Sequence, residues 1–373
     1  MLQNVFADEC PSTQWDLQSE WPSIAEEIKI DKSSEVLALE EYAFTLTGED
    51  TERKGIRTDG LMVLQHGKIL YEQYGRGFSA ENKHLLWSVT KSINSAILGR
   101  AVQEGLIDVR DSICDHVDFV PTENCAIRVE HLVTFSSGLQ WKESYEGEKN
   151  QVSSVLAMLY GEGKRDMATF VATHDLAYVP GANVSYSTGD ATLLASVIGA
   201  AVTPRYTERY PWTMLFEPLG LNATYERDAN GTYVGGSFSY MTPRDMAKFG
   251  AFYMNDGCMG SERLLPEGWV TISTTPSRYH DNMESCCEDG SVSGYSWWLN
   301  QPYGTGTTVN YPDAPELYYA AGHWGQYIIV IPSWDVVIVR TGDDRDGSYD
   351  NNVMIPLALA LANSPSTESG VSQ

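Results

Sequence analysis

Two stretches carry the apolar pattern of paired strands. In GLMVLQHGKILYEQYG, residues 60–75, two β-rich runs flank His66-Gly67, which predicts a hairpin with its turn there. QYIIVIPSWDVVIVRTG, residues 326–342, predicts a second hairpin, its β-branched residues suited to central strands. Other segments follow the helical period. EVLALEEYAFTL, residues 35–46, has apolar side chains at helical spacing, and residues 351–362 predict a last helix. In WSVTKSINSAILGRAVQEG, residues 87–105, an apolar stripe runs through Val89, Ile93, Ala96, Ile97, Ala101 and Val102 toward a stop at Gly105.

The sheet signals thus cluster at both ends, while residues 106–234 read as helices, loops and turns with few strands. This predicts an α/β lobe from residues 34–105 and 235–363, into which a mostly helical lobe, 106–234, is inserted. Residues 1–33 read as an irregular lead-in and 364–373 as a fraying tail. The join between two such lobes is a usual place for a cleft.

Composition narrows the function. The 373 residues are 42% hydrophobic, with 21 Tyr and 10 Trp, enough for a large core. No apolar run is long enough for a membrane span. The net charge of −25 repels nucleic acid and anionic membranes, and reads as a solubility device. The N-terminus lacks the pattern of a signal peptide, so either the protein is cytosolic or a leader has been removed. A periplasmic or secreted location is favoured over a cytoplasmic one. None of the six cysteines is spaced C-x-x-C. Cys114 with Cys125, and Cys258 with Cys286 or Cys287, are short-loop disulfide candidates, against reduced thiols throughout. Sequons occur at Asn183, Asn222 and Asn230.

The candidate chemistry begins at the helix start. Ser88 lies where backbone N–H groups are free, and Lys91 follows one turn on. A lysine with a lowered pKa can take a serine proton, and the oxyanion formed would meet the helix amides. The plainer alternative makes Ser88 an N-cap and Lys91 a solvated side chain, and about one S-x-x-K is expected by chance. Tyr186, in a turn before a helix, can shuttle a proton beside a lysine; alternatively it packs while Ser187 or Thr188 caps. His323-Trp324-Gly325 opens the strong strand, where His323 can donate to a substrate and Gly325 lets it approach closely. No G-x-S-x-G, H-E-x-x-H, Walker A or G-x-G-x-x-G motif is present, nor a metal-ligand cluster.

Taken in order, these signals resemble the serine β-lactamase-like superfamily: class C β-lactamases, penicillin-binding DD-peptidases, family VIII carboxylesterases and 6-aminohexanoate-dimer hydrolases, the last two most strongly. IRVEHLVTFSSGLQW at 127–141, YSTGDATLLASVIG at 186–199, GGSFSYMTPRDMAKFGAFYMNDG at 235–257, GYSWWL at 294–299 and GHWGQYIIVIP at 322–332 extend the resemblance over roughly residues 35–362. It implies an α/β fold of β-lactamase type, an antiparallel sheet flanked by helices plus a mostly helical lobe. Ser88 resembles the acyl-enzyme nucleophile, Lys91 its general base, and Tyr186 the group that passes the proton to the leaving group. The N–H groups of Ser88 and Gln326 resemble the oxyanion hole. His323 stands where the family has the lysine of K-T-G, and Thr188 where class C enzymes have the asparagine of Tyr-x-Asn. Both departures weaken the hold on a β-lactam. The resemblance therefore implies a serine hydrolase, a carboxylesterase on short-chain esters. Its alternatives are a linear amidase of 6-aminohexanoate-oligomer type, a β-lactamase or DD-peptidase, or a silent scaffold. No cofactor, metal or nucleic-acid partner is implied, only a small-molecule ester or amide. Trp324, Gly325, Thr188 and Tyr145 join His323 as substrate-side candidates, with Glu143 as a polar cleft residue. Trp87, Trp141 and Trp297 read as core.

Overall fold

A computed structural model describes residues 9–23, 33–46, 50–145, 153–282, 292–300 and 311–363. In chain order its strands are β1 (Thr58–Gln65), β2 (Lys68–Tyr74), β3 (His84–Leu85), β4 (Thr224–Tyr225), β5 (Ser239–Met241), β6 (Cys258–Met259) and β7 (Glu262–Arg263). They continue as β8 (Val292–Ser293), β9 (Trp298–Leu299), β10 (Tyr318–Gly322), β11 (Gln326–Ile331) and β12 (Val336–Gly342). Seven form one sheet in the order β2-β1-β12-β11-β10-β9-β8, each pair antiparallel. The expected α/β fold, with helices on an antiparallel sheet, is what forms.

Both expected hairpins are present. His66 and Gly67 take φ of 51° and 69°, the left-handed pair that a two-residue turn between twisted strands requires. Alternation along the strands then sorts side chains onto two cores. Met62, Leu64, Ile328, Val330, Val337 and Val339 face the helices Val89–Gln103 and Pro243–Met254. Leu61, Val63, Ile329, Ile331, Val336 and Ile338 face the helices Ser34–Phe44 and Asn351–Ala362. Between Gln103 and Thr224 the described residues form helices and no strand beyond isolated bridges. No helix among them is long and apolar enough to cross a membrane.

Two expectations need correction. The helix Val89–Gln103 is not a surface helix with one apolar stripe, because its polar face is buried as well. That face survives burial because its side chains find partners: Thr90 bonds Ser239 at 2.7 Å, Ser92 donates to the Ser296 carbonyl at 2.6 Å, and Asn94 donates to the Ala191 carbonyl at 3.0 Å. Gly105 does end it, with φ of 67° and bonds from Gly105 N to Val102 O and Leu106 N to Ala101 O. The described part of the lead-in, 9–23, forms no helix or strand beyond one isolated bridge, and it is anchored. Trp15 packs into the core and exchanges two 2.8 Å bonds with Asn255, and Cys10 is joined to Cys258. Cys258 therefore pairs across a separation of 248 residues and not with Cys286 or Cys287, which lie outside the described residues. Cys114–Cys125 forms as expected.

Candidate active site

The site starts at a strained entry to the central helix. Pairing of β3 with β5 leads the chain to Trp87, whose φ of 49° is unusual for a side chain of that size. Ser88 follows, half-buried, and its side chain caps no backbone amide. The capping alternative is therefore not realised at Ser88. A true cap sits at Ser187, which accepts from Asp190 N at 2.9 Å and opens the helix Thr188–Tyr206.

What Ser88 Oγ touches is Lys91, whose Nζ lies 2.9 Å away. Lys91 is only 2% exposed, not solvated. Its other two bonds, each 2.9 Å, go to Thr188 Oγ1 and to the Gly236 carbonyl. Gly236 has no room for a side chain, since a Cβ would lie 2.6 Å from Thr188 Cγ2; the glycine lets its peptide reach the lysine. Burial drives the Lys91 pKa down to about 8, against an opposing pull from Glu143. The Lys91 ammonium stands 4.7 Å over the Tyr186 ring, which stacks on Trp298 at 5.2 Å. A lysine so placed can be neutral near pH 8 and accept the Ser88 proton.

A profile of the Beta-lactamase family matches residues 44–352. The chain belongs to the β-lactamase family. It is 23% identical over 317 residues to the 6-aminohexanoate-dimer hydrolase of Paenarthrobacter ureafaciens, covering 82% of this chain and 77% of that protein. A Bacillus anthracis protein provisionally named a 6-aminohexanoate-dimer hydrolase shares the fold at a TM-score of 0.66 and 16% identity, over 94% of this chain and 89% of that one. EstCE1, a hydrolase with promiscuous acyltransferase activity, shares it at 0.61 and 15%, over 89% of this chain and 100% of its own. The family is one of serine hydrolases.

Around the Ser88–Lys91 pair, this β-lactamase-family chain brings in residues from three further segments. Glu143 is engaged on both oxygens. Its Oε1 accepts from the Tyr145 and Thr188 hydroxyls, each at 2.5 Å, and its Oε2 from Trp141 Nε1 at 2.6 Å and Thr188 N at 3.0 Å. The hydroxyl of Thr188 thus faces Lys91 and Glu143. Tyr145 stacks on His323 at 4.9 Å, and His323 lies 4.6 Å from Trp324 and 5.7 Å from Trp87, ring to ring. Aromatic carbon surrounds the histidine at the family's lysine position.

The turn that carries Gln326 is held from beneath. At Gly322 a Cβ would lie 2.2 Å from the Leu86 carbonyl, so only glycine lets the end of β10 reach the segment entering Ser88. Gly322 in turn pairs with Gln326 across the β10–β11 turn. Trp324 and Gly325 have φ of 62° and 94°. The space beside Gly325 is filled by the Arg340–Asp344 ion pair, where a Cβ would fall 2.1 Å from Arg340 Nη1. A glycine is required here because the Cβ direction is occupied by a buried ion pair, a reason separate from the substrate approach that the sequence suggested. Sequence reasoning missed Arg340 and the Gly236 carbonyl, and it placed Glu143 in the cleft without a task. The alternation Trp141-x-Glu143-x-Tyr145 was a usable signal, because an extended segment puts all three on one side.

Proposed function

We propose that this chain hydrolyses short-chain carboxylic esters through an acyl-enzyme on Ser88. The observation that carries the reading is the buried Lys91 Nζ at 2.9 Å from Ser88 Oγ, with its pKa lowered to about 8. Neutral Lys91 removes the Ser88 proton as Oγ attacks the ester carbonyl carbon. The carbonyl electron pair moves to oxygen, which the N–H groups of Ser88 and Gln326 receive. The proton then passes by way of Tyr186 to the departing alkoxide, and water later releases the acid by the same path.

Preference for esters over β-lactams rests on the two departures. His323 offers an aromatic-packed imidazole where a lysine would hold a carboxylate, and the Thr188 hydroxyl is bonded inward. The cavity bounded by Ser88, Lys91, Tyr186, Ser296 and Trp298 has a volume of about 10 Å³, room for a single small group or water. A second reading, linear amide hydrolysis, is favoured by the 23% identity to a 6-aminohexanoate-dimer hydrolase. The two disulfides, Cys10–Cys258 and Cys114–Cys125, support a periplasmic or secreted location.

The test compares kcat/KM for p-nitrophenyl acetate, nitrocefin and 6-aminohexanoate dimer. Loss of one charged contact costs ~1.5–3 kcal/mol, so the ester should lead nitrocefin by about one to two orders of magnitude. A nitrocefin value at or above the ester's overturns the esterase reading. Cleavage of the dimer alone replaces it with the amidase.

A further inference from the structure

We infer that Glu143, acting through the Thr188 hydroxyl, aims the lone pair of neutral Lys91 at Ser88. The inference rests on the reading of Ser88 and Lys91 as nucleophile and base, and concerns a positioning residue that touches neither substrate nor reacting atom.

The argument is a count of protons along a chain of contacts. As an ammonium, Lys91 donates three hydrogen bonds, to Ser88 Oγ, Thr188 Oγ1 and the Gly236 carbonyl. On losing one proton it keeps two N–H bonds and gains one lone pair, which must face one of these three partners. The Gly236 carbonyl has no proton to offer. Thr188 has one, but it is directed at Glu143 Oε1 at 2.5 Å. A carboxylate is acceptor-only, so Thr188 shows Lys91 nothing but oxygen lone pairs. Ser88 is the one partner left that can donate. The lone pair of the base therefore points at the proton it removes, before any substrate arrives.

Glu143 is suited to this and to little else. Its two oxygens take four donors, so no lone pair is reserved for a substrate. Its charge also supports the protonated form that Lys91 takes after removing the proton. The other titratable groups around the lysine are Tyr186, whose ring lies under Nζ, Tyr145, whose hydroxyl is 3.5 Å from Thr188 Oγ1, and Asp190 on the Thr188 helix.

Glu143→Gln tests the point with almost no change of shape. Trp141 Nε1 and Thr188 N are fixed donors to one oxygen, so the amide oxygen of glutamine must take that place. The NH₂ then faces Tyr145 and Thr188. It donates to Thr188 Oγ1 and frees the threonine proton to occupy the Lys91 lone pair. The readout is the pH dependence of the rate at which a fluorophosphonate probe labels Ser88, a reaction that needs the base but no particular substrate. Expected for Glu143→Gln is a plateau lower by about tenfold or more, with a midpoint moved to lower pH. Thr188→Val should lose a similar factor, Thr188→Ser should restore the wild-type rate, and the Glu143→Gln/Thr188→Val pair should lose less than the product of the two. Matching thermal melts separate these effects from unfolding. A wild-type plateau and midpoint in Glu143→Gln, or full activity in Thr188→Val, overturns the inference while leaving the nucleophile in place. Absence of labelling at Ser88 in the wild-type protein overturns the functional reading and this inference with it.

Discussion

Among the buried cations of the described residues, Lys91 and Arg340 have surroundings that send them in opposite directions. Lys91 is 2% exposed and Arg340 is 0%. Burial alone penalises the charged form of both. Lys91 touches only neutral oxygens, with its nearest carboxylate one hydroxyl away, and its pKa falls to about 8. Arg340 meets Asp344 directly through two nitrogens, donates to Gly325 O at 2.9 Å and lies 3.9 Å over the Tyr349 ring. For Arg340 burial again pulls the pKa down, but Asp344 outweighs it and the net shift is upward. The guanidinium holds its charge by its own chemistry and gains a direct carboxylate besides, while the ammonium, with a hydroxyl between it and Glu143, is left to the effect of burial. In this molecule the exchangeable cation lies against Ser88, and the fixed one lies beneath the turn before Gln326.

The comparison can be broken most severely at the reacting end. Ser88→Ala should lower kcat by ~10⁴–10⁶ with an unchanged melting curve. A purified variant keeping a tenth of the wild-type rate would remove Ser88 from the mechanism. At the other cation the damage should be to stability. Arg340→Met leaves the Asp344 carboxylate buried and unpaired, at an expected cost of about 3–5 kcal/mol in urea denaturation. Arg340→Met/Asp344→Leu should recover most of it, and a double variant no better than the single would deny that the pair acts as a unit.

The protonation contrast is a milder test. Below its pKa of about 8 Lys91 is protonated and cannot act as a base, so kcat/KM should climb with pH and level off above 8. Each pH unit below that point should cost about tenfold. A profile flat from about pH 5 to 9 would mean no such base controls the rate. The smallest effect is expected at Ser187→Ala, which removes the cap of the helix carrying Thr188. It should lower stability by about 1 kcal/mol while the kinetic midpoint stays near its wild-type value. A displaced midpoint would show that Thr188 depends on that cap for its position.

Local patterns in the chain announced the parts of this structure that are local. The His66-Gly67 turn, the Gly105 helix stop and the S-x-x-K pair are settled over a few residues, where dihedral preference and helical pitch decide the outcome. The burial of the polar face of Val89–Gln103 was hidden, because its partners Ser239, Ser296 and Ala191 come from distant segments. The same holds for Cys10 with Cys258, for Trp15 with Asn255, and for Gly325 with Arg340. In each case the chemistry was visible, but the partner is set only once the sheet has closed.

That closure has a cost in time during synthesis. β1 lies between β2 and β12, and Gln65 pairs with Val336, which leaves the ribosome about 270 residues later. At ~5–20 residues per second the wait is roughly 15–55 s. Over that interval Leu61, Met62, Val63 and Leu64, all at 0% exposure in the finished protein, belong to a hairpin with one unpaired edge. The nascent chain must therefore be shielded or slow to aggregate until its last hairpin arrives, and truncations short of β12 would leave that edge permanently open.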